Sequence, residues 1–383
     1  MQEQVEKYLA KLIRHGLVEG QEGVFLYGLD DEVYTNAPSV GQEVIRLFEL
    51  LNINSLIVAR PEPLLWGIID TLADREHGLI CPCDCESLTF IHDIPVVPAF
   101  DAPTVARALS RRKGCIVRDT GIVTTGTVAL EQAFIVFSSI CFASFVKFFA
   151  DAVNGLHGCG CAPKPDSRTI DAVSALLGKV EPLTPAKLVS RDAPVGEDRV
   201  LHAIDEAGKA LVGARLVDSF FGNISYRVGG VIYISQTGSS LDELPGYIDR
   251  VPMDGSSTCG ITSSSELLAH VKTYEHTRDD AILHGHPRFS VIMSMFGEPL
   301  VFGEKRYIED IPVISGEVGA GRHGLMHTLP PAMQEIHGAV VSGHGTFASC
   351  RGSFSEALER LSSIEHRCYR AYRRALQGST VIR

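Results

Sequence analysis

Two histidines stand two residues apart in AILHGHP, His284 and His286, and a third, His344, lies between Gly343 and Gly345. The apolar, β-branched run around the pair predicts a strand. Its period of two sets both imidazoles on one face, about 7 Å apart along the strand, and Gly285 adds no bulk to the other face. Three imidazoles with an open position describe a catalytic divalent-metal site, most often zinc. An H-x-H pair also occurs as incidental surface histidine, so the pair alone does not decide. Glu266 falls in TSSSELLAHVKTY, just inside a predicted helix start with Ser264 or Ser265 as N-cap. Its carboxylate is either a cap-region charge or a base beside the metal. The turns GNIS (222–225) and QTGSS (236–240) offer backbone N–H groups and hydroxyls to an anion.

These residues need a scaffold, and periodicity supplies one. Residues 202–216, 265–275 and 355–376 read as helices. Residues 224–226, 231–235, 281–286, 313 and 340–342 read as strands or parts of strands. The alternation predicts a layered α/β fold. An internal repeat explains the length of 383 residues, which suggests two or three domains. CIVRDTGIVTTGTVALEQAF (115–134) lies over VVSGHGTFASCRGSFSEAL (340–358). FIHDIPV (90–96) matches YIEDIPV, LIVARP (56–61) matches ILHGHP, and HGLVEGQEGVFLY (15–27) matches ARLVDSFFGNISY (214–226), all in one order.

The repeat sharpens the choice between a site and incidental histidines. The first copy has Val58, Arg60 and Thr120 at the three histidine positions, and Val40, or Gly41 in a slipped register, at that of Glu266. Ligands of one ion are lost as a set. The first copy also lacks about 27 residues where the second carries QTGSSLDELPGYIDRVP, read here as polar loop and not core. The expected division is a degenerate copy over 1–155, a proline-rich linker over 156–198 with a short helix at 169–177, and an active copy over 199–383.

In motif order, the second half resembles the class II aldolase/adducin family: GNIS, TG followed by DEL, SSE, H-x-H-P, I-P-V, then HG before a long helix. The resemblance spans about 195–376 and extends more weakly to the first half. It implies two α/β/α layered domains, each with a central, mainly antiparallel sheet. It implies His284, His286 and His344 as metal ligands, with Zn2+ favoured over Mn2+, Co2+ or Fe2+. It implies Glu266 as a resting ligand that becomes the proton-abstracting base. It also implies a phosphate pocket at Gly222, Asn223, Thr237, Gly238, Ser264 and Ser265. The chemistry implied is a metal-dependent lyase of the aldolase type, acting on a small hydroxylated, possibly phosphorylated carbonyl compound through a metal-stabilised enediolate. Epimerisation, dehydration or decarboxylation on the same scaffold, and adducin-like binding without catalysis, are the alternatives.

Two departures bear on that choice. Phe220 takes the place of the family's Thr or Ser before the GN turn, with Phe221 beside it. No Tyr lies between Arg288 and Arg306, where the aldolases bring a proton donor; Tyr307 is the nearest. His323 and His327 are read as solvated loop residues rather than added acid/base groups.

Composition excludes other classes. A net charge of −11, with Arg111, Arg112 and Lys113 as the longest basic run, excludes a nucleic-acid partner. The most apolar stretch, 133–146, is shorter than the ~20 residues of a membrane span, so it reads as a buried core or interface helix and no membrane partner is expected. The first residues form an amphipathic helix rather than a signal peptide. The ten cysteines are expected as reduced thiols in a cytoplasmic protein, including the clusters Cys81/Cys83/Cys85 and Cys159/Cys161. The family's enzymes are commonly four-fold rings, so the tandem chain is expected as a homodimer forming a pseudo-four-fold ring around a small-molecule site.

Overall fold

A computed structural model describes residues 1–160, 162–180, 190–217, 220–254, 256, 262–378 and 381. Cys161 lies outside the described residues. The chain forms two compact units, Met1–Phe149 with Pro165–Val180 and Ala150–Lys164 with Glu181–Arg383.

The first unit runs α1 (Gln2–Arg14), β1 (Val24–Leu29), β2 (Val33–Thr35), α2 (Gln42–Leu50), β3 (Ser55–Ala59), α3 (Pro63–Arg75), β4 (Leu79–Ile80), α4 (Cys85–Phe90), β5 (Ile94–Val97), α5 (Ala102–Leu109), β6 (Gly114–Val117), β7 (Gly121–Gly126), then α6 (Leu130–His157) and α7 (Ser167–Leu177). The expected boundary at 155 falls within α6, whose residues up to Phe149 group with the first unit. Inside the expected linker, α7 buries Val173, Leu176 and Leu177 and also groups with the first unit. At 28 residues, α6 is twice the apolar stretch visible in the sequence and long enough to cross a membrane. Its most apolar window is 89% buried, so burial rather than length marks it as a core helix. Cys81 and Cys85 are exposed and Cys83 is half-buried.

The second unit runs α8 (Glu197–Gly213), β8 (Asn223–Val228), β9 (Val231–Ser235), β10 (Ile248–Pro252), α9 (Leu267–His276), β11 (Ala281–Gly285), α10 (Arg288–Ser294), β12 (Lys305–Ile308), β13 (Ile311–Ile314), α11 (Leu325–Ile336), β14 (Gly338–Val341), β15 (Gly345–Cys350) and α12 (Ser355–Leu376). Its sheet order is β10-β9-β8-β11-β15-β14-β13-β12. That of the first unit is β2-β1-β3-β7-β6-β5-β4. Both sheets are antiparallel except for one parallel pair, β13 with β14 and β5 with β6. Each order is therefore the other's, with β10 added.

Strand registers test the repeat at single-residue resolution. Val58 stands opposite Val123 as His284 stands opposite Phe347, which fixes Val58 and Thr120 as the counterparts of His284 and His344. Phe25, not Val24, stands opposite Val58 as Asn223 stands opposite His284, so the sequence match of 15–27 is one residue out of register at β1. Gly41 is the N-cap of α2 as Glu266 is of α9, which selects Gly41 over Val40. The segment missing from the first copy is not polar loop alone. It includes the edge strand β10 and two fully buried core residues, Leu241 and Leu244.

The central strands divide two apolar layers. Leu283 and Ala348 pack with α8 and α12, while Ile282 and Phe347 pack with α9 and α11. This is an α/β/α arrangement, and β11, buried along its whole length, alternates its side chains between the two layers. In α12 the buried Leu361, Ile364, Cys368, Ala371 and Ala375 recur at helical spacing.

One close approach sets the site. Gly285 pairs with Thr346, bringing the turn before β15 against the end of β11. A Cβ on Gly345 would lie 2.5 Å from the Gly285 carbonyl oxygen and under 3 Å from ring atoms of both His284 and His286. Gly285 is equally constrained on its other face, where a Cβ would lie 2.6 Å from the Leu216 carbonyl. We expect Gly345→Ala to destabilise the second unit by about 1–3 kcal/mol and to spread the histidines. A urea midpoint matching that of the unaltered chain would contradict this packing.

Candidate metal centre

β11 carries His284 on the face toward α9 and α11. His286 follows one residue past the strand end, and His344 lies in the turn between β14 and β15. The period-two spacing separates the two backbones, but the side chains converge. His286 Nε2 lies 3.0 Å from His284 Nε2, which lies 3.1 Å from His344 Nε2. Nitrogens bonded to one tetrahedral ion at ~2.05 Å are roughly 3.3 Å apart, so these separations suit a shared ion. Glu266 joins them, with Oε1 3.0 Å from His344 Nε2 and Oε2 3.4 Å from His284 Nε2. Glu266 occupies the N-cap position of α9 but makes no side-chain cap bond. The carboxylate is turned into the cluster, and the Ser264 hydroxyl accepts the Glu266 N–H at 3.3 Å.

The donor chemistry fits a divalent cation. His284 Nδ1 faces the Thr346 carbonyl at 3.2 Å. A carbonyl only accepts, so Nδ1 carries the proton and Nε2 presents its lone pair. Burial lowers His284 to about 3, against the opposing pull of Glu266, so the ring is neutral near pH 7. Burial alone would raise the Glu266 carboxyl. Any proton carried by the His284 or His344 ring, together with the Asn223 amide, instead favours the carboxylate and holds Glu266 well below the ordinary range. Asn223, Glu266 and the three histidines are each at most 5% exposed, so water does not compensate them. Glu266 Oε1 and Asn223 Oδ1 are buried without a hydrogen-bond donor. A desolvated set rich in lone pairs, with one carboxylate, is what a hard or borderline cation satisfies.

The remaining site candidates distribute around this cluster. Asn223 Nδ2 donates to Glu266 Oε2 at 2.6 Å, so its amide holds the carboxylate. Gly222, at φ +85, brings its Cα against the His284 carbonyl. Thr237 and Ser264 lie on two loops stitched together by Thr237 N–H to the Thr262 carbonyl and Ser264 N–H to the Ser235 carbonyl. Thr237 Oγ1 also donates to the Ser263 carbonyl at 2.9 Å. Gly238 is open on its Cβ side, and Ser265 is exposed. Phe221 stacks on His286, with ring centroids 5.9 Å apart. His323 and His327 are exposed. Tyr307 lies on the edge strand β12, its hydroxyl donating to Glu335 at 3.1 Å.

Two residues that the motifs did not single out, His270 and Glu365, support the cluster. His270, one turn after Glu266, is buried with Nδ1 2.7 Å from Ser225 Oγ, which is also 2.7 Å from the Tyr274 hydroxyl. Burial lowers His270 to about 4, with Glu266 opposing. The E-x-x-x-H spacing was the available signal, since it puts both side chains on one helical face. Glu365 of α12 accepts the Phe289 and Ser290 N–H groups at 2.8 and 2.7 Å, fixing the start of α10 just after His286. Ser290 Oγ accepts from Thr346 Oγ1 at 2.8 Å, and the Thr346 carbonyl faces His284. Glu365 thus holds both arms of the histidine pair. Its distance along the chain left no local signal.

Residues 202–372 match the family described as Class II Aldolase and Adducin N-terminal domain. A comparison with curated proteins gave no match. Among solved structures, L-fuculose-1-phosphate aldolase from Thermus thermophilus is 25% identical over 48% of this chain and 98% of its own, with a TM-score of 0.40. A sugar-phosphate aldolase from Thermotoga maritima is 16% identical over 48% and 97%, with a TM-score of 0.36. The N-terminal class II aldolase domain of a Thermoplasma acidophilum protein is 14% identical over 48% and 98%, with a TM-score of 0.34.

Burial raises the Glu365 carboxyl to about 7, against the two N–H bonds and Arg288. Between the unfolded carboxyl value and about 7 the native state binds more protons, so stability falls as pH rises through that window, by roughly 3 kcal/mol at most. Glu365→Gln removes that dependence while losing one accepted N–H bond. The stability gap between the native chain and the variant should therefore shrink from pH 5 to pH 8 in urea unfolding. A gap that widens contradicts the assignment.

Proposed function

Taking residues 202–372 as a member of the class II aldolase and adducin family, we propose that this unit is a divalent-metal-dependent lyase of the aldolase type. The observation that carries the reading is the convergence of three buried imidazole Nε2 atoms with the Glu266 carboxylate. His284, His286 and His344 hold the cation, with zinc favoured by three borderline-soft nitrogen donors. When bound, the cation supplies Lewis-acid stabilisation of negative charge on a carbonyl oxygen.

The chain's own residues do the rest. Asn223 fixes Glu266 Oε2, leaving Oε1 as the proton-accepting atom. In the direction of carbon–carbon bond formation, Glu266 takes a proton from the carbon beside the carbonyl. In the direction of cleavage, it returns one to that carbon. Phe221 and Phe347, stacked on His286 and His284, keep water from the ring faces. With the Thr237 N–H and hydroxyl and the Ser264 N–H spent on holding the two loops together, the N–H groups of Gly222, Gly238 and Ser265 and the hydroxyls of Ser264 and Ser265 are the donors for the anionic end of a small hydroxylated, phosphorylated carbonyl compound.

A second reading, epimerisation, dehydration or decarboxylation, keeps the same metal and base. It is favoured by the position of Tyr307, at the sheet edge and bonded to Glu335. A cleaved fragment then lacks the tyrosine proton donor. On the family reading, two chains assemble as a homodimer with pseudo-four-fold symmetry.

Purified protein should carry one divalent ion per chain by elemental analysis, and His284→Ala should abolish it. In D2O, a panel of hydroxylated carbonyl compounds and their phosphates should exchange the proton beside the carbonyl, as read by NMR. Glu266→Gln should slow that exchange about 10²–10⁴-fold. The products separate cleavage from epimerisation. A metal-free protein whose His284→Ala variant behaves identically contradicts the proposal. Sedimentation should give about twice the 41.5 kDa chain mass, whereas a monomer or a ring of four chains contradicts the assembly.

A further inference from the structure

The first unit has lost the histidines, but it holds a cavity of about 300 Å3 lined by the turn 90–94, the basic run 111–113, and Val136 and Ile140 of α6. The second unit shows what the same place looks like when filled. A Cβ on Gly338 would meet Ile364 and Arg360, and a Cβ on Gly114 would meet Ile140 and Val136. Thr125 N–H donates to the Lys113 carbonyl as Ser349 N–H donates to the His337 carbonyl. Val136 therefore stands where α12 carries Arg360, whose guanidinium crosses the space to the Ser349 carbonyl. Exchanging that long side chain for valine opens the void.

The charges around it have also been rearranged. His92 and Glu309 hold the same left-handed turn, both at φ 60, before the shared DIPV. In the second unit Glu309 is neutralised by Arg367 and Arg374 of α12. At the position of Arg367, α6 has Ala143. Glu335 and His337 of the second unit are replaced by Arg111 and Lys113, both exposed at the rim. Arg112 pairs with Asp93 and donates to the Arg111 carbonyl at 2.8 Å, yet its Nε is buried without an acceptor. The place thus has an apolar floor, a basic rim and an unsatisfied guanidinium donor.

From this geometry we infer that the first unit carries a binding site of its own for a small phosphate monoester with a short apolar body. The doubly charged head lies on Arg111, Arg112 and Lys113, where guanidinium forks match phosphate oxygens. The body lies on Val136 and Ile140. A volume at the lower end of small-molecule pockets limits that body to a ring or a short chain. This inference does not depend on the reaction of the second unit.

The test is calorimetric titration of the full chain with phenyl phosphate, with benzyl alcohol as the uncharged control. Phenyl phosphate should bind and benzyl alcohol should not. The double substitution Arg111→Ala, Lys113→Ala changes only exposed side chains and should weaken binding about tenfold or more. Val136→Arg, which restores the plug of the second unit, should abolish it. Phosphate binding that persists unchanged in both variants belongs to the second unit and overturns the inference. Absence of any phenyl phosphate binding overturns it as well.

Discussion

Everything in the second unit turns on how closely the end of β11 and the start of β15 can approach. With Gly285 and Gly345 lacking Cβ atoms, the two strands and the turn before β15 close on one another, and three imidazoles that start from separate backbones meet at their Nε2 atoms. Such a cluster is costly when empty of charge compensation, because neutral rings present lone pairs to each other in a water-free space. The fold tolerates it by spreading the constraint over the sheet. Thr346 fixes the tautomer of His284, Glu365 fixes the start of α10 after His286, and Asn223 fixes Glu266.

The two units show the same sheet order with different uses of it. Replacing Asn223, Glu266, His284, His286 and His344 by Phe25, Gly41, Val58, Arg60 and Thr120 leaves no imidazole or carboxylate at these five positions in the first copy. The first copy also has no counterpart of β10, although the 236–252 segment contributes Leu241 and Leu244 to the core of the second unit. Sheet order and site are separable here: the order of the other strands is the same without the edge strand, and the central pairs, β3 with β7 and β11 with β15, keep the same register.

Much of this was legible in the sequence because it is local or periodic. The H-x-H pair on a β-branched run, the helix over 355–376 and the gapless match of 116–134 to 340–358 depend on short-range spacing. Other features were not legible, each for a physical reason. Cap and site carboxylates share the same position at a helix start, so only the orientation of Glu266 separates them. Glu365 acts across the sheet layer on residues far away in the chain. The length of α6 was hidden because Lys147 and Asp151 interrupt its apolar pattern without breaking the helix. The slip at β1 was hidden because Tyr27 and Tyr226 align by identity, whereas strand pairing aligns Tyr27 with Ser225.

Metal-edge X-ray absorption on the purified full chain, compared with His344→Ala, reads the donor set of the three histidines itself. The expected spectrum is that of a divalent ion with three imidazole nitrogens at ~2.0–2.1 Å plus oxygen ligation, with loss of one imidazole in the variant. A sulfur-ligated ion, or an imidazole count unchanged by the substitution, would contradict it.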